Sequence, residues 1–465
     1  MRYVSTRGNA PSLDFAGVTL AGLAADGGLY IPEHWPRMTE EEIGALAGLS
    51  YVDTAVAVMA PFVAGSLTRD ELTSLCEAAY ARFHHAAVTP LVQVDHDQWL
   101  LELFHGPTLA FKDVALQLLG QLFERFLTGA DAHVTIIGAT SGDTGSAAID
   151  AVAGRQGVDI FMLHPEGRVS DVQRRQMTTV GAPNVHNIAI RGDFDTAQAL
   201  VKAMFNDAAF AGRFRLSAVN SINWARLMAQ VVYYFYAAVR LGAPHRKVAF
   251  SVPTGNFGDV FAGYVAAKMG LPVAKLVVAT NVNDILARAL STGDYSSRQV
   301  VATPTPSMDI QVSSNFERLL FDLGGRDGGA LAAQMRGFES TRAMQLTNAQ
   351  RDGAAPLFVG ERVDTDDMAL AMRAACDRSA QVIDPHTAIA YAAARRQAQP
   401  GVPMVTLATA HPAKFRDAVE RATGVRPALP ARVGDLFQRE ERFDVLDASY
   451  DAISSYIAAR AVPRG

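Results

Sequence analysis

An α/β fold of two αβα modules with mainly parallel sheets, beside an N-terminal cap region, is what this 465-residue sequence predicts. Three observations carry that reading. Short, wholly apolar, β-branched runs alternate with helical stretches from about residue 133 onward, and strands without a polar face belong to parallel sheets covered by helices on both sides. Several of those runs end in glycine-rich turns that open a helix, the punctuation of a βα unit. Hydrophobic residues make up 49% of the chain and charged ones 19%, enough apolar material for a large core and too much for wholesale disorder.

The elements follow in order. The first ~95 residues mix helix and loop and close on "TPLVQVD", read as a strand. "HVTIIGA" (133–139) is a strand, "GSAAIDAVAG" a small-residue helix and "VDIFMLHP" (158–165) the next strand. After the helix "VSDVQRRQMTTVG" comes the strand "VHNIAIRG" (185–192), then "FDTAQALVKAMFNDAAF", whose apolar residues recur at helical spacing. "LMAQVVYYFYAAV" (227–239) reads as a buried helix: it is too short to span a bilayer and contains Gln230. The rhythm resumes with the strand "KVAFSVPTG" (247–255), the helix "DVFAGYVAAKMG", and the strands "AKLVVATN" (274–281) and "VPMVTLATA" (402–410). Between the last two, roughly 320–400, the chain is rich in Ala and Arg and reads as mostly helical. The expected organisation is a cap over 1–95, a smaller αβα domain over 96–215, and a larger one over 216–465 with the helical insertion.

Several function classes drop out. A net charge of −5 with no long basic run argues against a nucleic-acid surface. The first residues lack the apolar core of a signal peptide, and Cys76 and Cys376 can form neither a disulfide framework nor a CxxC site. A cytoplasmic protein without a membrane segment is expected. His84, His85, His105 and His411 have no metal-ligand spacing, so no metal is expected.

The chemistry concentrates at strand ends, where ligands of such folds bind. "VPTGNFGD" (252–259) places Gly255 and Gly258 between a strand and a helix. The turn suits a phosphate facing backbone amides, and it is equally an ordinary glycine-rich βα turn. "GATSGDTGSAA" (138–148) gathers Thr140, Ser141, Asp143, Thr144 and Ser146 around Gly142 and Gly145; it suits a carboxylate or phosphate, and Ser141 or Asp143 could also cap the helix. In "FHGPTLAFKD" (104–113) Lys112 follows an apolar run. A snorkelling lysine is the plain reading and a dried nucleophilic amine the sharper one. One lysine and two anion loops together match the needs of pyridoxal phosphate: a phosphate cradle, an amine for the Schiff base, and a grip for an amino-acid carboxylate. His386 reads as structural, behind an Asp384-Pro385 helix start, and Trp224 as core.

The chain further resembles the threonine synthases, a branch of the tryptophan-synthase-β-like (fold type II) family of pyridoxal-phosphate enzymes. The resemblance rests on "YVSTRG" (3–8), "DGGLYIPE" (26–33), "FHGPTLAFKD", "SGDTGSAA" (141–148), "NSINWAR" (220–226), "VPTGNFGD", "SMDIQVSSNFERLLF" (307–321), "DPHTA" (384–388) and "ATAHPAKF" (408–415), in this order along nearly the whole chain. It implies that Lys112 forms the Schiff base, that Gly255, Asn256, Phe257 and Gly258 hold the cofactor phosphate with Asp259 in support, and that Thr409 bonds the pyridine nitrogen. Ser141, Gly142, Asp143 and Thr144 would take the substrate carboxylate, with Asn220, Asn223 and Arg226 near the substrate phosphate. Where many members have Ser, this chain has Thr254, which keeps the hydroxyl. The implied reaction turns O-phospho-L-homoserine and water into L-threonine and phosphate, by γ-elimination and hydration at Cβ, in a monomer or homodimer. Two rivals stand beside it: a phospho-lyase or dehydratase giving a 2-oxo acid, and a non-catalytic binding protein for pyridoxal phosphate.

Overall fold

The computed structural model describes residues 1–128 and 133–463. Its larger sheet has six strands in the spatial order Phe358–Arg362, Val273–Thr280, Val248–Pro253, Met404–Ala408, Gln98–Glu102 and Leu91–Asp95. Every pairing is parallel except the last, an antiparallel hairpin at one edge. The smaller sheet runs Asp444–Leu446, Val185–Ile190, Val158–Pro165, Val134–Ala139 and Leu216–Ser217, parallel throughout. The strand Val158–Pro165 is buried along its whole length, as a strand covered on both faces must be.

Pairing crosses the sequence ranges expected for the domains. Leu91–Asp95 and Gln98–Glu102 join the larger sheet, and Asp444–Leu446 joins the smaller one, followed by helix Tyr450–Ala458 packed on Phe194–Asn206. Parallel strands are brought together by crossovers, so chain order does not dictate sheet membership. Two short elements also depart from the sequence reading. The cap holds a two-stranded sheet, Tyr3–Ser5 with Tyr30–Pro32, each strand too brief to show a period. The stretch read as mostly helical contains the strand Phe358–Arg362, where Gly360 lies against the backbone of Ala287 in the crossing helix.

Helix Trp224–Arg240 is buried at every position up to Val239 and packs against helices Tyr51–Val63, Lys112–Leu127 and Gly258–Lys268. It is the shared core post between cap and sheets. One contact of Lys112–Leu127 sets up the site. It packs on helix Asp143–Val152, and a Cβ at Gly120 would collide with the carbonyl oxygen of Ala151. Gly120 and Ala151 lie equally far from their helix starts, so this close approach brings the two N-termini, with Lys112 and Asp143, side by side. No helix among the described residues is long and apolar enough to cross a membrane.

Candidate active site

Lys112 is the first residue of its helix and is 8% exposed. The segment before it is pinned to the end of strand Met404–Ala408, where Phe111 N–H donates to the Thr409 carbonyl at 2.8 Å and Ala110 bridges Ala410. The lysine's nearest acidic oxygen is Asp143 Oδ2 at 3.8 Å, an ion-pair distance longer than a hydrogen bond. Burial pushes the Lys112 amine down to about 8; Asp143 opposes this, while Arg226 and Lys414 add to it. A lysine so placed is partly neutral near physiological pH, as nucleophile or proton carrier must be.

Both anion loops sit beyond the carboxyl ends of their strands. After Val248–Pro253, the amides of Gly255, Asn256, Phe257 and Gly258 donate to no protein group among the described residues. Phe257 takes a left-handed conformation, φ 64°, which turns the chain into helix Gly258–Lys268. The turn is backed by Ser313 Oγ, which donates to the Gly255 carbonyl at 2.7 Å, and by Asn315, whose side chain donates to the Asn256 carbonyl at 3.0 Å. Gly255 is required sterically: a Cβ there would meet the Ser307 carbonyl oxygen at 2.5 Å. After Val134–Ala139, Thr140 Oγ1 accepts from Gly142 N–H and Gly145 N–H, both at 2.9 Å. The amides of Ser141, Asp143 and Thr144 are left without a protein acceptor among the described residues. Each loop is therefore a nest of free N–H groups at a helix start, where an anion is stabilised.

Thr409 is buried, its amide donates to Thr387 Oγ1 at 3.2 Å, and its own hydroxyl bonds no protein group among the described residues. Asp384 caps helix Pro385–Arg396, accepting from His386 N–H at 2.9 Å and Thr387 N–H at 3.1 Å. His386 is buried with Nδ1 on the same carboxylate at 2.9 Å, and its Nε2 has no partner among the described residues. The histidine is thus only half satisfied, unlike the structural residue expected from sequence.

The remaining expected residues divide. Asp259 accepts through Oδ1 from the hydroxyls of Tyr233 and Tyr234. Burial pushes it up to about 6 against those bonds and Arg226, and its Oδ2 is buried with no hydrogen-bond partner among the described residues. Asn223 is occupied structurally: its side-chain carbonyl caps helix Trp224–Arg240 and its amide donates to Thr19 O at 2.8 Å. Asn220 is exposed and accepts from Ile222 N–H. Arg226 is buried and donates to Val219 O at 3.0 Å; its other guanidinium donors bond no protein group among the described residues, and burial lowers it to about 10. Sequence reasoning missed Lys414, in the turn Pro412–Phe415, whose Nζ lies 2.8 Å from Asp143 Oδ1. A second lysine three residues beyond His411 in "ATAHPAKF" was the available signal, and nothing local distinguishes it from a surface charge. No group of three or more His, Cys, Asp or Glu among the described residues could hold a metal ion.

Free amides, an unpartnered hydroxyl and a buried amine of lowered basicity fit a phosphate-bearing aldehyde cofactor, and the two sheets carry them in a fold type II pyridoxal-phosphate enzyme. Residues 83–409 match the family model described as pyridoxal-phosphate dependent enzyme. Residues 2–80 match the threonine synthase N terminus and 387–457 the threonine synthase C-terminal model. The chain is 54% identical over 460 residues to threonine synthase of Pseudomonas aeruginosa, covering 98% of each chain. Its fold is similar to PLP-bound threonine synthase from Brucella melitensis (TM-score 0.97, 52% identity, 99% of each chain). It is also similar to threonine synthase from yeast (TM-score 0.93, 38% identity, 99% and 98%). The chain belongs to the threonine synthase family.

Proposed function

We propose that the protein converts O-phospho-L-homoserine and water into L-threonine and phosphate. The observation that carries this reading is Lys112, held at a helix start between Asp143 and the Thr409 strand end, with an amide nest in a loop after one strand of each sheet, Val248–Pro253 in the larger and Val134–Ala139 in the smaller. Pyridoxal phosphate, when bound, supplies an aldehyde that condenses with amines and a conjugated ring that withdraws electrons from the attached carbon. The amides of Gly255, Asn256, Phe257 and Gly258 would hold its phosphate, with Asp259 bracing the helix start behind them, and Thr409 would meet its ring nitrogen. The amides of Ser141 to Thr144 would take the substrate carboxylate, and Arg226 has unused donors for the phosphate that leaves.

Lys112 then acts as the mobile base. With its basicity lowered to about 8, it can take the proton from the substrate α carbon and return protons to the carbons beyond it. Loss of phosphate from Cγ and addition of water at Cβ balance to threonine plus phosphate. The apolar run before Lys112, with Leu109 and Ala110 fully buried, keeps bulk water from the amine. A hydroxyl at Thr409 carries no charge, so a ring nitrogen held there would be less protonated than beside a carboxylate.

Product analysis tests this directly. The cofactor-loaded protein is incubated with O-phosphohomoserine, and threonine, 2-oxobutyrate and phosphate are quantified. Threonine equimolar with phosphate is expected. A predominance of 2-oxobutyrate would assign a lyase instead, and absence of phosphate release a binding protein.

A further inference from the structure

Asp143 is shared between two buried lysines. Its Oδ1 accepts from Lys414 Nζ at 2.8 Å and from Gln173 Nε2 at 2.8 Å, and its Oδ2 faces Lys112 Nζ at 3.8 Å. The Lys414 side chain has no exposure at all. Its other hydrogen bond goes to the Thr108 carbonyl at 2.8 Å, which also accepts from Gln176 at 3.0 Å. Thr108 in turn donates through its amide and hydroxyl to Asp113, the neighbour of Lys112. Lys414 therefore ties together the loop that leads into Lys112 and the carboxylate that faces it.

The charges around Lys112 come from four elements: Asp113 on its own helix, Asp143 on the next, Arg226 on helix Trp224–Arg240, and Lys414 on the turn after the Thr409 strand. Burial pushes Asp113 up to about 7, which weakens it as a counter-charge. Burial also pushes the Asp143 carboxyl up, but Lys414, Lys112 and the bonds from Lys414 and Gln173 outweigh it and hold the group below its usual range. Asp143 is thus the one firm anion among three cations. A buried ammonium needs a close, undivided counter-charge to stay protonated. The distances show which lysine has it: Lys414 is at full hydrogen-bond contact, and Lys112 is a full ångström further away.

We propose that Lys414 is a positioning residue for Lys112: by holding Asp143 to itself, it denies Lys112 a full ion pair and keeps the amine available as a base. The proposal rests on Lys112 being the reactive amine of the reaction proposed above. It also gives the carboxylate of Asp143 a task apart from substrate, which an anion facing a carboxylate ligand could not bind through its side chain.

The test reads the protonation of Lys112 itself. The full chain, freed of cofactor, is acylated with acetic anhydride across a pH series, and the Lys112 peptide is quantified by mass spectrometry, since only the neutral amine reacts. Wild type should reach half-labelling near pH 8. In Lys414→Met, Asp143 turns wholly to Lys112, and the midpoint should rise by about one pH unit, the low end of what a neighbouring charge does. Lys414→Arg, which keeps the cation, should restore a midpoint close to wild type. A folded Lys414→Met with an unmoved or lowered midpoint overturns the proposal. If Lys414→Met does not fold, Lys414→Gln decides instead: its amide can still donate to the Thr108 carbonyl but carries no charge, so the midpoint should rise as for Met, and an unmoved or lowered value overturns the proposal. Turnover of O-phosphohomoserine is followed separately in the cofactor-loaded wild type. Its absence would sink the proposed reaction, while the labelling midpoints still decide the role of Lys414.

Discussion

Lys112→Met takes an ammonium group out of surroundings that disfavour its charge and leaves an apolar side chain of similar length. In the cofactor-free chain the structure puts a magnitude on the change. Burial, with Arg226 and Lys414 nearby, lowers the amine from 10.5 to about 8 against the pull of Asp143. A lysine less basic in the folded than in the unfolded chain destabilises the fold at every pH below the folded value. The penalty shrinks between about 8 and 10.5 and is gone above. The gap corresponds to about 3 kcal/mol at neutral pH, at 1.36 kcal/mol per pKa unit. Some of it returns as lost attraction to Asp143, though Lys414 and Gln173 still satisfy that carboxylate. Lys112→Met should therefore be more stable than wild type at pH 7 by about 1–3 kcal/mol, while turnover and the visible absorbance of the cofactor-loaded protein are lost. The assay is thermal unfolding of both cofactor-free proteins from pH 6 to 10.5, with circular dichroism as the signal. The gap in Tm should be widest at the acid end and close toward pH 10.5. A variant less stable at pH 7, or a gap that does not change with pH, would refute the reasoning that Lys112 sits in an unfavourable field.

Four further outcomes follow from the geometry. Gly255→Val should weaken cofactor retention on dialysis strongly, because its Cβ would displace the Ser307 carbonyl at 2.5 Å and distort the amide nest; unchanged retention would remove this turn from the phosphate site. Thr409→Ala should raise the cofactor Kd by about fivefold, one neutral hydrogen bond of ~1 kcal/mol. Thr409→Asp, by protonating the ring nitrogen, should divert product from threonine to 2-oxobutyrate, and an undiverted wild-type rate would place Thr409 away from the ring. Asn223→Ala should lower stability by about 1 kcal/mol through loss of the helix cap and leave the KM for O-phosphohomoserine unchanged; a large rise in KM would return Asn223 to the substrate site.

What the sequence determined by itself was local. The alternation of apolar runs with helical stretches, and the glycines that close them, depend only on neighbouring residues, so the parallel α/β class, the strand end at 139 and the glycine turn that follows the strand Val248–Pro253 were legible. The buried helix over 227–239 was legible too, because it is the longest apolar stretch of the sequence. Lys112 stood out through the apolar run before it, and the two amide loops through their turn chemistry. Sheet membership was not legible, since Gln98–Glu102 and Asp444–Leu446 find their partners through crossovers that no local pattern encodes. Nor was the use of each polar side chain. Asn220, Asn223 and Arg226 share one segment, yet helix geometry turns Asn223 to a cap, leaves Asn220 outside, and buries Arg226 beside Asp259. The pairing of Lys414 with Asp143 came only from tertiary structure. It joins residues far apart in the chain, and the basicity of Lys112 is set by how closely folding brings those charges together in a place that water does not screen.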